Sequence, residues 1–533
     1  MEDLIRESFK TENHILVKNI LKKNNNISTS DIILLYKKYC LDQNIHSNKE
    51  FIEKIKLKPI RTLSGIVPIT VLTKPFPCPG KCIFCPTDPL MPKSYLSKEP
   101  GAQRALMNKF DPYMQTKNRI QALQNIGHKT EKVELLILGG TFSVYPRNYQ
   151  EWFIKRCISA MNKFEDEIQN KKFIKNQINF NTKSEEINPP QNWNIDMLKD
   201  TQKINTTAKI RCIGITLETR PDRISENEII HLRTMGTTKI QLGIQSTQDE
   251  ILKANKRGET SQDQIKAISL LRSSGFKIQI HWMPNLYKST PTKDKKDIKN
   301  IYTNPQYMPD EIKMYPCSII DKTELFEYYK KGKYEPYDEK TLIDLLIYAK
   351  KITPEYVRIN RLVRDIPSTY IEDGNKKTNL RQIVQNQMQK KGFYCKCIRC
   401  REIRNETLDK INFKKIEYET DVSLEYFLSF VSKNKILGFL RLSLPKENNV
   451  FIKEIQESSI IREIHIYGPS LEIKDKSIGI QHLGLGKRLI KKAEIISKTN
   501  KFKKISVISG IGTREYYRNR GFSDGELYQS KLL

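Results

Sequence analysis

Apolar, β-branched runs alternate with helix-like segments through the middle of the chain. The strand-like runs are Val67 to Thr73, Val133 to Leu138, Cys212 to Leu217, Lys239 to Ile244, Lys277 to Met283 and Glu311 to Cys317. The helix-like segments between them include Gln115 to Ile126, Ile224 to Met235 and Ser261 to Ser273. Because strands and helices take turns in this way, the sequence predicts repeated βα units and therefore an α/β domain with a parallel sheet.

The pattern changes near Glu402, where short strand-like runs and a glycine-bearing turn replace the regular alternation. In chain order the new segments are Ile436 to Leu444, Ile460 to Tyr467, the turn Gln481 to Lys487, the helix-like Leu489 to Ser497 and the strand-like Lys504 to Ser509. They predict a second, separate module of antiparallel sheet plus helix.

These changes divide the chain into four predicted parts. A basic helical region covers 1–62, the βα core covers 63–320, a linker covers 321–404, and the C-terminal module covers 405–533. Inside the core, residues 165–209 are rich in Asn, Lys and Gln and carry the pair Pro189-Pro190. This composition is typical of a flexible insertion, and we expect one there.

The chain carries a large excess of positive charge. Its 533 residues include 92 Lys and Arg against 61 Asp and Glu, which gives a formal net charge of +31. Such a surface releases counterions from phosphates, so the charge predicts a polyanionic partner, with nucleic acid favoured over an anionic membrane. No apolar run reaches the roughly 18 residues that a membrane-spanning helix needs. We therefore expect a soluble cytoplasmic protein with no membrane partner.

Three cysteines, Cys78, Cys82 and Cys85, lie in a loop that contains Pro and Gly and directly follows a predicted strand. We call residues 75–86 the cysteine loop. Three cysteines can hold three irons of a 4Fe-4S cluster and leave the fourth iron open to a substrate. A zinc ion is the alternative, but a zinc site closed by protein needs a fourth ligand, and no nearby His or Cys supplies one.

A second group of cysteines, Cys395, Cys397 and Cys400, falls within six residues, and Cys317 ends a strand-like run earlier in the chain. Four sulfurs suffice for a closed tetrahedral zinc site, so these four residues predict structural zinc. A second iron–sulfur cluster and free thiols are the alternatives.

Glycines and polar residues mark the ends of several predicted strands. Gly139 and Gly140 follow one strand, while Glu218 and Gln241 belong to motifs that end two others. Glycine lets the backbone approach a ligand closely, and ligands bind at the carboxyl ends of parallel strands. These positions predict a ligand site, although packing at a strand end would explain each of them alone.

The cysteine loop resembles that of the radical S-adenosylmethionine superfamily. Together with the strand-end motifs and the segment Cys395 to Ile403, it is similar to the Elongator protein 3 family over nearly the whole chain. The resemblance implies a radical SAM partial (βα) barrel, joined through a zinc-binding linker to a GNAT α+β domain, with a small N-terminal helical region. It also implies a 4Fe-4S cluster on the cysteine loop and S-adenosylmethionine beside it, at Gly139, Gly140, Glu218 and Gln241.

The C-terminal module resembles the GNAT acetyltransferases, and this resemblance implies an acetyl-CoA site. A strand segment would pair with the pantetheine arm; it consists of Glu463, Ile464, His465 and Ile466. The turn that opens the following helix, with Leu485, Gly486 and Lys487, would bind the pyrophosphate, which a helix N-terminus favours. Tyr517 would lie at the thioester, and Lys132 would meet acetyl-CoA from the barrel side. A packed aromatic ring and a solvated lysine are the respective alternatives.

The function that the family resemblance implies is modification of the wobble uridine 34 of tRNA at C5, with acetyl-CoA as the carbon source, to give carboxymethyluridine. The anticodon stem-loop of tRNA would be the substrate, and residues 1–62 would contribute to binding it. Other Elongator subunits or a second copy of the chain are further candidate partners. The main alternative is a protein lysine acetyltransferase that uses only the C-terminal module, but it gives no role to the cysteine loop.

Overall fold

The computed structural model of the chain describes residues 2–23, 27–57, 62, 64–170, 187–404, 408–447, 449–467 and 484–533. These residues form an N-terminal group of helices, a parallel sheet covered by helices, and a C-terminal mixed sheet. The predicted α/β class, with a partial barrel and a separate sheet-rich module, is confirmed.

Four helices form the N-terminal group: α1 Glu2–Lys10, α2 His14–Lys23, α3 Thr29–Asp42 and α4 Lys49–Ile55. Ser28 caps α3 by accepting from the amide of Asp31, whose carboxylate accepts from the amide of Ser28 in return. Ile32, Ile33 and Tyr36 are buried and belong to a small core that is separate from that of the barrel.

Parallel strands form the barrel sheet, and the bounds of the strands follow the predicted runs closely. The strands are β1 Ile66–Leu72, β2 Lys132–Leu138, β3 Arg211–Thr219, β4 Lys239–Gln245, β5 Lys277–Trp282, β6 Glu311–Met314 and β8 Arg358–Arg361. They lie side by side in this order, and every neighbouring pair is parallel. A small antiparallel pair, β7 Ile319–Ile320 and β9 Ile371–Asp373, lies outside this sheet.

Helices cover the outside of the barrel and form the linker. They are α5 Pro100–Met107, α6 Pro112–Asn125, α7 Arg147–Asn170, α8 Asp196–Asn205, α9 Glu226–Thr234, α10 Asp249–Ala254, α11 Ser261–Ser273, α12 Pro291–Thr303, α13 Glu324–Lys330, α14 Glu339–Lys351, α15 Leu380–Lys390 and α16 Ile398–Arg401. Polar caps begin several of them, such as Asp111 for α6 and Thr260 for α11. No helix in the described part of the chain is long and apolar enough to cross a membrane.

The insertion and the linker differ from the sequence prediction. Residues 196–205, predicted to be flexible, form α8, in which Leu198 is fully buried and Asn205 bonds to the amide of Cys212 at 2.7 Å. Packing on the barrel outweighs the polar composition of α8, whereas residues 171–186 lie outside the described ranges. The barrel sheet also continues past residue 320, because β8 belongs to it.

The C-terminal module is a mixed sheet with one long helix. Its strands are β10 Asn412–Glu419, β11 Ser423–Ser432, β12 Lys435–Pro445, β13 Ser458–Ile466, β14 Lys504–Val507, β15 Ser523–Asp524 and β16 Gln529–Leu532. The helices are α17 Leu485–Thr499 and α18 Arg514–Arg518. Strands β10 to β13 are antiparallel, as predicted, but β13 and β14 pair in parallel because α17 connects them.

Polar residues occupy alternate positions on the inner face of the barrel. β5, for example, places Lys277, Gln279 and His281 on one face and the buried Ile278 and Ile280 on the other. β4 and β6 repeat this alternation, and their polar side chains, like those of β5, line a central cavity. The lumen of the barrel is therefore polar, while its outer face packs on helices.

Candidate active site

The cysteine loop follows β1, so it lies at the carboxyl ends of the barrel strands. Cys78, Cys82 and Cys85 are half-buried free thiols, and the amide of Cys85 donates to the carbonyl of Cys82 at 3.1 Å. Their sulfurs do not form the close group that a single ion requires, as judged on the described residues. In a 4Fe-4S cluster each thiolate binds a different iron, so this wider spacing and the all-thiol donor set fit such a cluster.

A buried ion cluster backs the cysteine loop. Arg257 donates through Nη1 to Cys82 Sγ at 3.3 Å and through Nη2 to Glu259 Oε1 at 2.7 Å. Arg220 Nη2 lies 3.3 Å from Glu259 Oε2 and donates to the Arg257 carbonyl at 2.8 Å. The carboxylate of Glu259 thus fixes two guanidinium groups beside the thiols. The sequence alone does not predict this contact, because Glu259 stands far from the cysteines in the chain.

The glycine turn after β2 packs directly on Thr73, which lies just before the cysteine loop. Gly139 has φ +149°, and a Cβ there would lie 1.8 Å from Thr73 Oγ1. Thr73, which follows β1, donates to Tyr145 Oη at 2.8 Å and is completely buried. Gly140 lies next to the carbonyl of Lys93. The turn therefore requires glycine, and it holds the predicted cofactor residues against the cysteine loop.

One cavity of about 1240 Å³ runs through the barrel to the C-terminal module. Its lining includes Cys85 and Gln245 near the carboxyl ends of the strands, Lys277 at the amino end of β5, and Glu463 and Tyr517 of the C-terminal module. A strand of six or seven residues spans about 20 Å. The cavity therefore connects the cysteine loop to the C-terminal module along the barrel axis.

Glu218 and Gln241, the two predicted cofactor residues on β3 and β4, both line this cavity. Glu218 Oε2 accepts from the hydroxyl of Tyr95 at 2.6 Å. Gln241 Oε1 accepts from Lys313 Nζ at 2.5 Å and lies 3.3 Å from His281 Nε2. Burial, followed by the charge of Lys313, lowers the pKa of His281 well below its usual value, so this ring is neutral at neutral pH.

The strand predicted to pair with pantetheine has an open edge. β13 pairs with β14 only as far as Ile461 and Val507, and no other described strand pairs with Glu463–Ile466 on that side. Ile464 and His465 line the cavity. Burial lowers the pKa of His465 to about 4, so the ring is neutral at neutral pH. The backbone of this segment is free to pair with an extended ligand.

The side chain of Glu463, by contrast, is used inside the protein. It accepts from Lys277 Nζ, and from Arg441 Nε at 2.9 Å. The charges of Lys277 and Arg441 outweigh the effect of burial and lower the pKa of Glu463. Any contact of this residue with a ligand is therefore made by its backbone.

Two tyrosines of α18 lie near the predicted pyrophosphate turn. Gly486, the second residue of α17, has the hydroxyl of Tyr516 packed over it. Tyr517 is buried and lines the cavity, and the two rings meet edge to face at 5.2 Å. Lys487 is exposed and Leu485 is buried, whereas residues 481–483 of the turn lie outside the described residues. Burial raises the pKa of Tyr517, so its hydroxyl keeps its proton.

Lys132 is the first residue of β2 and lies at the amino end of the barrel, which faces the C-terminal module. Its register partner Arg211 touches Gly512 of that module. Burial, and then the charge of Arg211, lower the pKa of Lys132. Lys132 is not among the described residues that line the central cavity, so its contact with acetyl-CoA stays a prediction.

Buried charges join the barrel to the C-terminal module. Arg462 of β13 binds both carboxylate oxygens of Asp310 at 2.7 Å and pairs with Glu425 at 2.9 Å. All three side chains are completely buried. Burial alone would raise the pKa of Asp310, but Arg462 and Arg441 reverse the effect and lower it. The bidentate pair between Arg462 and Asp310 fixes the orientation of the module on the barrel.

Cys395, Cys397 and Cys400 form a candidate metal centre at the opposite end of the barrel from the cysteine loop. Their sulfurs all lie within 4.8 Å of one another. Zinc–thiolate bonds of about 2.3 Å place ligand sulfurs at such distances, so the donor set fits zinc. Hydrogen bonds from Cys395 and Cys400 lower the pKa of Cys397, which favours the thiolate.

Cys317 does not belong to this centre, so the prediction of a four-cysteine site is wrong in that position. Cys317 is buried beside Ile83 and Leu325, and burial raises the pKa of its thiol to about 12. It follows β6 and so lies at the carboxyl end of the barrel, under the cysteine loop. The segment that holds the other three is bonded to the amino end of β8, where Ile398 donates to the Val357 carbonyl. Cys317 and the other three cysteines therefore lie at opposite ends of the barrel strands.

The chain is similar to known proteins over most of its length. Family models described as the Radical SAM superfamily and the Radical_SAM C-terminal domain match residues 77–291 and 309–390. The tRNA uridine(34) acetyltransferase of Methanocaldococcus infernus is 42% identical, over 95% of this chain and 91% of its own length. Elongator complex protein 3 of Homo sapiens is 30% identical, over 91% of this chain and 87% of its own length.

A solved structure is also similar. The archaeal Methanocaldococcus infernus Elp3, with its N-terminus deleted, superimposes with a TM-score of 0.74 at 39% identity, and the match covers 89% of this chain and 100% of that one. The match therefore extends across the barrel, the linker and the C-terminal module. The chain belongs to the Elongator protein 3 family of radical S-adenosylmethionine proteins.

Proposed function

We propose that this protein modifies uridine 34 of tRNA at C5, with acetyl-CoA as the carbon source, and so makes carboxymethyluridine or a precursor of its derivatives. The observation that carries this proposal is the cavity that has Cys85 and Tyr517 on the same continuous wall. Relatives named tRNA uridine(34) acetyltransferase, at 36% to 42% identity, support the choice of substrate.

Cys78, Cys82 and Cys85 would hold a 4Fe-4S cluster, and the residues around Gly139 and Gln241 would hold S-adenosylmethionine beside it. When bound, this pair supplies a 5′-deoxyadenosyl radical that abstracts hydrogen from an unreactive carbon. Such chemistry is needed because uridine C5 is a poor nucleophile toward a thioester.

The C-terminal module would present acetyl-CoA to the barrel. The open edge of β13 would pair with the pantetheine arm, and the first turn of α17 would bind the pyrophosphate. Tyr517 keeps its phenolic proton, so it can donate a hydrogen bond to the thioester oxygen or protonate the departing thiolate. Water must then release CoA from the thioester. Lys132 would contact acetyl-CoA from the barrel side.

The linker cysteines, Cys395, Cys397 and Cys400, would hold a structural zinc ion, and residues 1–62 would help to bind the anticodon stem-loop. The net charge of +31 supports a tRNA partner. Other Elongator subunits or a second copy of the chain are further partners that this proposal allows.

The test is anaerobic incubation of the reconstituted protein with S-adenosylmethionine, acetyl-CoA and tRNA, followed by mass analysis of the nucleosides. We expect a carboxymethyl-type nucleoside at position 34 and 5′-deoxyadenosine as the second product. The control is the variant with Cys78, Cys82 and Cys85 all changed to Ala, which should yield neither. Acetylation of a protein lysine with no change in tRNA would contradict the proposal and favour a lysine acetyltransferase.

A further inference from the structure

Lys313 is a lysine of the barrel lumen, and the proposed function assigns it no role in binding a cofactor or a substrate. It is the third residue of β6, and it lines the central cavity between the cysteine loop and the C-terminal module. The β5–β6 register places it beside His281, and its Nζ donates to Gln241 Oε1 at 2.5 Å. The lysine therefore lies where the predicted cofactor site opens into the lumen.

The partner of Lys313 sets it apart from the other lumen lysines. Lys277 Nζ lies 2.7 Å from a carboxylate oxygen of Glu311, and Lys239 Nζ lies 3.6 Å from the other. Within the described ranges, no carboxylate forms an ion pair with Lys313, whose hydrogen-bond acceptor is the neutral amide of Gln241. Deprotonation of Lys313 therefore breaks no ion pair among the described residues.

The charged and titratable groups that face Lys313 come from every strand around it. They are Glu218 of β3, Lys239 of β4, His281 of β5, Glu311 of β6, Tyr315 after β6 and Arg361 of β8. Burial lowers the pKa of Lys313 to about 7, with Arg361 and Lys239 acting in the same direction and the two glutamates opposing it. Both the ammonium and the free amine are therefore populated near neutral pH.

Resting on the proposed function, we propose that Lys313 accepts the proton that leaves C5 of the target uridine. Addition of the acetyl-methyl carbon radical to C5 forms the new carbon–carbon bond and leaves an unpaired electron at C6, while C5 still carries its hydrogen. Restoring the C5–C6 double bond then requires the C5–H bond to break. The proton passes to the amine of Lys313, and one electron passes to a one-electron oxidant, a class that includes the oxidised 4Fe-4S cluster.

Other groups in the lumen suit this step less well. His281 is neutral and has a strongly lowered pKa, so it holds a proton poorly. The pKa of Lys277 is raised, because Glu311 and Glu463 outweigh the effect of burial, so its ammonium keeps its proton. Glu218 already accepts a hydrogen bond from the hydroxyl of Tyr95. Lys313 combines a free amine near neutral pH with a position on the cavity wall.

The experiment compares the wild type with Lys313→Met and Lys313→Arg in anaerobic single-turnover reactions with tRNA. Met removes the amine and keeps the bulk, and Arg keeps the charge but is not deprotonated in proteins. We expect both variants to form 5′-deoxyadenosine at close to the wild-type rate and to make the modified nucleoside roughly 10²-fold more slowly. With tRNA deuterated at uridine C5, the residual reaction should slow severalfold, because C5–H cleavage then limits the rate.

A pH series provides a second readout, which a structural role would not move. Nucleoside formation by the wild type should rise with pH through about 7, and the variants should lack this rise. An Arg variant with full activity, a Met variant with an unchanged rate and pH profile, or loss of 5′-deoxyadenosine formation in the Met variant would each overturn the proposal. Failure of the wild type to modify tRNA at all would instead overturn the proposed function. Circular dichroism of both variants checks that the fold is kept.

Discussion

At the scale of single residues, the neighbours of a side chain decide its chemistry in this protein. Lys277 and Lys313 both belong to the polar face of the barrel strands, yet Lys277 has carboxylate partners and Lys313 has an amide partner. Tyr516 and Tyr517 are adjacent in sequence, yet the hydroxyl of the first packs over Gly486 and the ring of the second lines the cavity. Each difference gives a prediction that a single substitution can test.

Replacing Lys313 by Met should raise the melting temperature, and the gain should shrink as the pH rises. The pKa of Lys313 is about 7 in the folded state and higher in the unfolded state. Below pH 7 the folded protein therefore buries a charged ammonium, and the full free-energy cost of that burial lowers its stability. Above it, the folded state has released its proton while the unfolded state still holds one, and the stability of the wild type rises toward about pH 10. Thermal unfolding of both proteins between about pH 6 and about pH 9 measures this difference.

Lys277→Met is the matched comparison for that experiment. It leaves Glu311 and Glu463 buried without their shared cation, so it should lower the free energy of unfolding by about 3–5 kcal/mol. Equal effects of the two substitutions would contradict the assignment of different roles to the two lysines.

Tyr517→Phe removes one hydroxyl from the cavity wall and keeps the ring. If that hydroxyl places the thioester or protonates the thiolate, tRNA-dependent release of CoA should fall roughly 10²-fold, while cleavage of S-adenosylmethionine continues. Tyr528→Phe is the control, since Tyr528 is a buried tyrosine of the same module whose hydroxyl bonds to the Ser274 carbonyl, away from the cavity lining. Full CoA release by the Tyr517 variant would rule out this role.

At the scale of structural elements, short segments fasten the barrel to the C-terminal module. The segment around α16 bonds to both, because Ile398 donates to the Val357 carbonyl and Ile403 donates to the Ile436 carbonyl. A short 3-10 helix, Ile511–Thr513, packs on the amino end of β3. The zinc site proposed for the linker cysteines and the close packing of this turn can each be tested.

If the linker cysteines hold zinc, as proposed, removing it should destabilise the protein without changing its redox chemistry. Cys397→Ser is expected to lose zinc and to unfold at a lower temperature, because metal binding contributes folding free energy. Cys317→Ala should keep about one zinc per chain, since Cys317 lies in a different cluster of side chains. Metal analysis of a protein without Cys78, Cys82 and Cys85 checks the assignment, and iron at the linker cysteines would contradict it.

Gly510→Ala should loosen the contact between barrel and module. A Cβ at Gly510 would lie 2.1 Å from the carbonyl oxygen of Ile213, so the two backbones must separate. We expect a loss of about 1–3 kcal/mol in unfolding free energy and faster proteolysis between the two parts. Gly101→Ala is the control, because its Cβ would make only an ordinary contact with Leu72 at 3.5 Å and Gly101 lies in a helix. Equal stability of both variants would show that the contact tolerates separation.

At the scale of the whole molecule, opposite charges hold the interior together while positive charge dominates the total. The pairs between Asp310, Arg441, Arg462 and Glu463 are buried where barrel and module meet. The net charge of +31 resides in the many other lysines and arginines, and it governs long-range attraction to polyanions.

Binding to tRNA should therefore weaken steeply with salt, because each neutralised phosphate releases counterion. Charge alone does not select an anticodon loop, whose splayed bases require recognition of shape. At moderate salt we expect tRNA to bind more tightly than duplex DNA of equal length, as measured by fluorescence titration over a series of salt concentrations. Equal affinities for the two nucleic acids would indicate unspecific binding to polyanions.

The sequence by itself determined the βα core, the C-terminal sheet and both cysteine groups, because these depend on local periodicity and on short spacings such as Cys395 to Cys400. The polar lumen also has a signal in the sequence, because polar and isoleucine residues alternate in Lys239 to Gln241, Lys277 to His281 and Glu311 to Lys313.

Only the tertiary structure decided which distant residues meet. Cys317 lies at the carboxyl ends of the strands and the linker cysteines at the amino ends, so sequence spacing joined residues that the barrel separates. The contact of Arg257 with Cys82 and that of Lys313 with Gln241 arise from strand order and register. Local patterns specify strands and loops, whereas the burial and the partners of a side chain depend on how the sheet curls. Those two properties decide whether a lysine forms an ion pair or acts as a base.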